Sequence, residues 1–443
     1  MPDTRFIVVQ IGARHGYAIP AILDQAGLLE RFYTELCGTV GAGRYLAMAR
    51  FVSRGDSRAA RLAARRLPDG IAGKTRTFAR PVARHAWRSR RLDPGDAAGG
   101  FRENLRFSDE LGEAMARAGY GAATHVYGMM GECGPFLARA SRRGLRVISE
   151  VYIPLSTERI LAEERRAFPD WEPEVPDYAA LRREAGAVGD ALLRWTDHFI
   201  CPSPRVRDDL VANFGVGCVR TSVVPYGVEP RWFDVDPRPV PRRVLFAGAA
   251  CLRKGIHYLA MAAERLRAGG CGYEFRVAGE VTPRVAAQPP CRHLTFLGRV
   301  PRARMCAEFE AADVLVLPSL AEGSATVTHE ALAAGVPVVT TRAAGSPVRD
   351  GIEGRIVPER DPAALADAIA EIVGDRDRRA RMSAAARRRA GAFTWDRYGE
   401  RLVAALRSSA CSSGHRGQAG PEEPAAGGPA DRGRTRSPGV TAR

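Results

Sequence analysis

One strand–loop–helix–strand unit constrains this chain more than any other stretch of it. It reads Asp313-Val-Leu-Val-Leu-Pro-Ser-Leu-Ala-Glu322-Gly-Ser-Ala-Thr-Val-Thr-His-Glu330-Ala-Leu-Ala-Ala-Gly335-Val-Pro-Val-Val339. The apolar run 314–317 predicts a buried strand, residues 326–334 predict a helix stopped by Gly335, and 336–340 predict a second strand. Glu322 therefore falls in the loop and Glu330 inside the helix. Ser324 or Thr326 is expected to cap that helix, leaving its free N–H groups and positive end between the two acids. An anion such as a diphosphate fits there. Two carboxylates tolerate such a neighbour where they accept hydrogen bonds from neutral hydroxyls, as a ribose diol and a sugar would supply. The plainer alternative is two solvated acids on a surface helix.

The surrounding sequence favours the first reading. Residues 244–248 predict a strand running into a glycine turn at Gly248, and Arg253-Lys254-Gly255 opens a helical pattern that continues to Leu266. Adjacent cations at a strand-to-helix turn are placed to meet phosphate. Only two of the 66 basic residues are lysines, Lys74 and Lys254, so a lysine at this turn is poor surface filler. Further strands are predicted at 274–279, 293–298 and 354–358, and a helix over 302–311. Alternation of this kind implies α/β layers on parallel sheets, with ligand sites beyond the carboxyl ends of the strands.

From about residue 244 to 398 the chain resembles the donor domain of GT-B glycosyltransferases of family 4. The resemblance rests on Arg253-Lys254-Gly255, Phe296-Leu-Gly298, the run from Ala312 to Ser319, the glutamate pair, Gly335-Val-Pro-Val-Val339 and Gly351-Ile-Glu-Gly354, in that order. The first half matches more loosely, through Thr196-Asp-His-Phe-Ile-Cys-Pro-Ser203, Val223-Val-Pro-Tyr-Gly-Val228 and a first strand over 6–11 followed by Gly12. The fold implied is GT-B: two Rossmann-like domains facing a central cleft, with a C-terminal helix crossing back to the first.

The resemblance also implies roles. Glu330 would bind the ribose hydroxyls and Glu322 those of the transferred sugar, while Lys254 and Arg253 would neutralise the departing diphosphate beside Gly248. Backbone N–H groups of Gly323, Ser324, Ala325 and Thr326 would hold sugar and distal phosphate, and the stretch 297–300, with Gly298 and Arg299, would meet the base. The co-substrate is a nucleoside-diphosphate sugar, no cofactor is implied, and transfer proceeds with retention and electrostatic stabilisation of leaving group and sugar cation. Three positions depart from the pattern. Ala249 stands where an arginine is common, Ala325 stands where a glycine is usual, and the first domain's usual histidine is absent, its place falling at Tyr127 or Gly128. On the acceptor side Gly12, His15, Tyr127 and Glu150 are the candidates, with a turn or capping role as the alternative for His15 and Glu150.

Composition bounds the rest. The 443 residues suffice for a first domain over 1–238, a donor domain over 239–393, a crossing helix over 394–407 and a disordered tail over 408–443, with a proline-rich hinge at 236–241. No run approaches a membrane span, no signal peptide is legible, and nine scattered cysteines without metal-ligand spacing read as buried thiols of a reducing cytoplasm. The net charge of +16 concentrates between Arg44 and Arg91, where fourteen basic residues face Asp56 and Asp69. Within that stretch Arg54, Arg58, Arg61 and Arg65 recur at helical spacing between Phe51, Leu62 and Leu67, either a helix for the inner face of an anionic membrane, consistent with a lipid-linked or glycan acceptor, or an arginine-rich solvated face. Nucleic acid is disfavoured for want of interleaved aromatics. Asp234-Val-Asp236 has metal-binding spacing but lies in the linker, so no metal site is expected. Epimerisation or phosphorolysis on the same fold, or a non-catalytic scaffold, are the competing functions.

Overall fold

The computed structural model describes residues 4–49, 64–184, 191–270 and 272–411. Seven parallel strands, β1 (Phe6–Val9), β2 (Leu29–Thr34), β3 (Thr75–Thr77), β4 (His125–Met129), β5 (Arg146–Glu150), β6 (His198–Cys201) and β7 (Thr221–Val223), form the first sheet in the order β3-β2-β1-β4-β5-β6-β7. Six more, β8 (Arg243–Ala247), β9 (Glu274–Ala278), β10 (Leu294–Gly298), β11 (Val314–Leu317), β12 (Val338–Thr341) and β13 (Gly354–Val357), form the second, ordered β10-β9-β8-β11-β12-β13. Strands buried on both faces need continuous apolar runs, and β1 and β11 supply them with every residue buried. Each sheet reverses its winding once, at β1/β4 and at β8/β11, and ligand crevices open at such points. The Gly12 turn leaves β1 and the Gly248 turn leaves β8, so the two glycine turns expected from sequence occupy equivalent places.

Packing moves the boundary between the domains. Val224 and Tyr226 belong to the apolar core of the first sheet, whereas Val228, Trp232 and Val235 belong to that of the second. The chain therefore crosses at Gly227, not at residues 236–241. The proline-rich stretch is pinned to the second domain, where the Arg238 and Val240 N–H groups donate to the carbonyls of Glu310 and Ala311 at 2.8 and 3.0 Å. The return crossing lies alongside: the Val228 N–H donates to the Phe393 carbonyl at 2.8 Å. Beyond it the final helix, Trp395–Cys411, packs Tyr398, Leu402 and Leu406 into the first domain's core. It continues past residue 407, so 408–411 are helix where a disordered tail was expected; residues 412–443 are outside the described residues.

A third connection was not foreseen. The helix Thr157–Ala167 and the loop after it follow β5 and so belong by chain order to the first domain. They nonetheless dock on the second, with Trp171 inside its core and Ile160 and Phe168 packed against it. Of the arginines proposed to line a basic helix, Arg54, Arg58 and Arg61 lie outside the described residues. Arg65 is not presented to a membrane but is ion-paired with Glu35, and Leu67 is buried. Among the described residues no helix is long and apolar enough to cross a membrane, and seven cysteines, Cys37 to Cys306, are free thiols.

Candidate active site

Glu322 sits in the loop after β11, its carboxylate Oε1 2.7 Å from both Arg253 Nη1 and Lys254 Nζ. The two cations come from a short 3-10 turn, Leu252–Lys254, in the β8 crossover, and the Leu320 N–H donates to the Arg253 carbonyl at 2.9 Å, tying turn and loop together. The triplet carries one net positive charge. Gly248 is required here: with φ +139, and with Lys254 Cδ and Cε 3.0 Å from where a Cβ would stand, only glycine lets the lysine stem lie across the strand end.

The helix after this loop, Thr326–Ala333, begins from Ala325 and no side chain caps it. This corrects the expectation that Ser324 or Thr326 would do so. Thr326 is exposed, and the Ser324 hydroxyl is buried without a partner. An uncapped N-terminus beside an unsatisfied hydroxyl is suited to an anion. The set of backbone donors is smaller than expected, because the Ala325 N–H is already bonded to the Ala344 carbonyl at 3.0 Å. Gly323 meets the first domain: a Cβ there would collide with the Tyr152 backbone carbonyl, and the Ser203 hydroxyl donates to the Gly323 carbonyl. Close approach of the domains, rather than sugar contact alone, is what demands glycine at 323.

Glu330 lines a cavity of about 430 Å³ that spans the domains. His15 and Gly16 contribute from the first sheet's glycine turn, and Thr326, Arg302 and Glu229 from the second domain. Burial pushes the Glu330 carboxyl above the usual carboxylate range, opposed by Arg302 and reinforced by Glu229. His15 stands at φ 52, its ring 4.4 Å from that of Tyr226 and 5.5 Å from Trp395, with Nε2 buried and unpartnered. Burial lowers its pKa, so the neutral imidazole offers one free nitrogen to a ligand. The Gly12 N–H donates to Glu35 Oε2 at 2.7 Å and so braces the turn from below. Gly298 ends β10 at φ 65, and Arg299 beside it is exposed.

Tyr127 and Glu150 are not open to the cleft. Both are fully buried, and Glu150 accepts from the hydroxyls of Tyr127 at 2.6 Å and Tyr226 at 2.7 Å. They brace the wall behind His15 and are withdrawn as acceptor contacts. Sequence reading missed Glu132, in the loop after β4 where Met130 and Cys133 take positive φ. Burial raises its pKa to about 7, and its Oε2 accepts from the Ile11 N–H at 3.3 Å. Nearby, the Arg14 guanidinium lies 3.6 Å from the centre of the Tyr152 ring. The strained φ values that mark this loop leave no trace in a sequence without glycine at those positions.

A larger cavity of about 1050 Å³ runs along helix Ala97–Ala118 of the first domain and shares no lining residue with the interdomain one. The smaller cavity is the one that holds Glu330, His15 and Thr326, the first residue of the helix that follows the Glu322 loop.

Comparison with known proteins bears on the family and the fold. Residues 241–375 match the family model for glycosyl transferases group 1. A glycogen synthase of Mycobacterium tuberculosis is 32% identical over 228 residues, covering 49% of this chain and 55% of that protein. A D-inositol 3-phosphate glycosyltransferase of Geodermatophilus obscurus is 35% identical over 271 residues, covering 52% of this chain and 60% of the other. The chain thus spans little more than half the length of these curated relatives. Among solved structures, sucrose-phosphate synthase from Thermosynechococcus elongatus superposes with a TM-score of 0.60 at 17% identity, covering 93% of this chain and 100% of the other. Anabaena Alr3699/HepE in complex with UDP and glucose gives 0.55 at 14% identity, covering 91% and 100%. Likeness at that identity concerns the fold, which is GT-B.

Proposed function

We propose that this chain, whose residues 241–375 match the family model for glycosyl transferases group 1, moves a glycosyl group from a nucleoside-diphosphate sugar to a hydroxyl acceptor. The observation that carries the reading is the pairing of both Arg253 and Lys254 with Glu322 beside a helix N-terminus that no side chain caps. An incoming diphosphate competes for the two cations. Glu322, released from them, turns to the hydroxyls of the sugar, while Glu330 accepts from the ribose diol. Charge growing on the leaving phosphate is met by fixed cations, which act most strongly once closure over donor and acceptor shields them from water. No covalent nucleophile is assigned, and transfer with retention, as in family 4, is the stereochemical course proposed.

His15 and the Gly12–Gly16 turn present the first-domain wall to the donor's phosphates and to the acceptor. The relatives named above are called a glycogen synthase and an inositol-phosphate glycosyltransferase, so a glycan end, a polyol phosphate or a lipid-linked sugar are the acceptor classes to try. The donor assignment is tested by thermal shift with UDP, GDP, ADP, CDP and dTDP on wild type and Glu330→Ala. A nucleotide at a hundred times its Kd adds about 2.7 kcal/mol of stability. The expected result is a shift of several degrees with one base, lost in the variant. No shift with any of the five removes the donor site from consideration.

A peripheral association with anionic membrane, at the cytoplasmic face, is proposed for the basic stretch 44–91. It is supported by two aromatics in that stretch, Tyr45 and Trp87, that stay more than half exposed, with Arg91 stacked 3.4 Å from the Trp87 ring centre. Co-sedimentation with vesicles containing phosphatidylserine should exceed that with neutral vesicles and fall as salt rises. Equal recovery with both vesicle types rejects it.

A further inference from the structure

We propose that Glu172, delivered to the donor domain by an arm of the first domain, is a positioning residue that holds the Arg253–Lys254 turn in its diphosphate-binding geometry. The inference rests on the donor-site reading above and adds to it a residue from the other half of the chain.

The arm is anchored at both ends on the first domain. At its start the Ser156 N–H and hydroxyl both donate to Asp209, the former at 3.2 Å to Oδ2. Past its end the Tyr178 ring packs 4.8 Å from that of Phe101. Between these anchors the segment is held by the second domain in three ways. Glu164 accepts from His257 at 2.7 Å, Tyr258 at 2.5 Å and Arg360 at 2.7 Å. Trp171 fills a place in the second domain's core. Backbone carbonyls of Asp170 and Glu172 accept from Gln288 at 2.8 Å and Arg284 at 3.1 Å.

At the tip of this arm the Glu172 carboxylate Oε1 accepts the Leu252 N–H at 2.8 Å, while Oε2 takes Arg165 Nε at 3.2 Å. Leu252 is the first residue of the 3-10 turn that carries Arg253 and Lys254. Its preceding residue, Cys251, supplies no side-chain cap, so Glu172 does from a distance in sequence what an N-cap residue does locally. The Arg165 contact fixes which way the carboxylate faces. Without Glu172 the turn keeps its Lys254 N–H bond to the Cys251 carbonyl at 3.1 Å and its tie to Leu320, but its first N–H is unsatisfied and the two cations are held less firmly against Glu322. The two domains thereby share the phosphate site: the second supplies the charges and the first supplies the brace.

The test compares Glu172→Ala and Glu172→Gln with wild type. Amide hydrogen exchange without any ligand reads the brace directly: exchange at Leu252 to Lys254 should quicken in Glu172→Ala and return toward wild type in Glu172→Gln, whose amide oxygen accepts the same N–H. Binding reads its purpose. Affinity for the preferred nucleoside diphosphate should fall about tenfold in Glu172→Ala, the size of one charge-assisted hydrogen bond. Affinity for the matching nucleoside monophosphate, which leans less on the cations, should change less than about twofold. Unchanged exchange and unchanged diphosphate affinity in a folded Glu172→Ala protein overturn the proposal, as does equal loss of both nucleotides. Should wild type bind none of the five diphosphates, the donor reading falls by itself, and the exchange comparison still judges the brace.

Discussion

Lys254→Ala should lower kcat for sugar transfer by roughly 10²–10³-fold, the range seen when one preorganised charge-stabilising donor is removed from an active site. Lys254 Nζ shares Glu322 Oε1 with Arg253, each at 2.7 Å, so the variant keeps one of two cations and should not fall to the uncatalysed rate. The loss should appear in kcat more than in KM, because the leaving phosphate gains charge only as the bond to the sugar breaks. Since the two side chains supply that charge, wild-type activity should survive a chelator. Steady-state kinetics with the donor found by thermal shift, with and without EDTA, decides both points. A Lys254→Ala enzyme within a few-fold of wild type, or activity abolished by EDTA and restored by Mn²⁺, rejects the assigned roles. Turnover lost with partner binding intact separates an enzyme from a scaffold.

The placement of the proposed donor residues was legible because it is local. Strand β11, the glutamate loop and the following helix are contiguous, and their periodicity alone sets Glu322 at a strand end and Glu330 on a helix. The Arg253–Lys254 turn was equally readable, since a glycine turn between strand and helix fixes where its side chains go. What sequence did not yield depends on contacts between distant segments. Gly323 looks like a phosphate-binding glycine, yet its neighbour is the Tyr152 carbonyl of the other domain. Tyr127 and Glu150 looked like cleft residues because they fall near strand ends; each satisfies the other inside the wall, and nothing along the chain announces that pairing. The crossing point moved from the prolines to Gly227 for a related reason. Prolines mark stiff, poorly paired chain, but Val228, Trp232 and Val235 are apolar enough to be drawn into the second core first.

The arm is the largest feature that periodicity could not assign, and Glu164 is where its removal should cost most. Glu164→Ala is expected to destabilise the protein by about 2–4 kcal/mol, because it leaves the buried His257 and Tyr258 donors without an acceptor, whereas Arg360, 44% exposed, keeps water and Glu163 at 3.8 Å. The pH dependence has a definite sign. Burial by itself would raise the Glu164 pKa, but hydrogen bonds from His257, Tyr258 and Arg360 carry it down to about 2, below the ordinary 4.5. A depressed carboxylate pKa gives stability that is complete above about pH 4.5 and drains away as pH falls toward 2. Burial lowers the His257 pKa, against the opposing pull of Glu164, so near neutrality the ring donates to Glu164 uncharged. Differential scanning calorimetry should therefore show the gap between wild type and Glu164→Ala at its full width near neutrality and narrowing on acidification below pH 4.5. Two transitions in the variant where wild type shows one would mean that the arm couples the unfolding of the two domains, as its docking predicts. A variant as stable as wild type at pH 7, or a gap that widens in acid, would mean that Trp171 and its apolar neighbours hold the arm unaided, with Glu164 no more than a passenger.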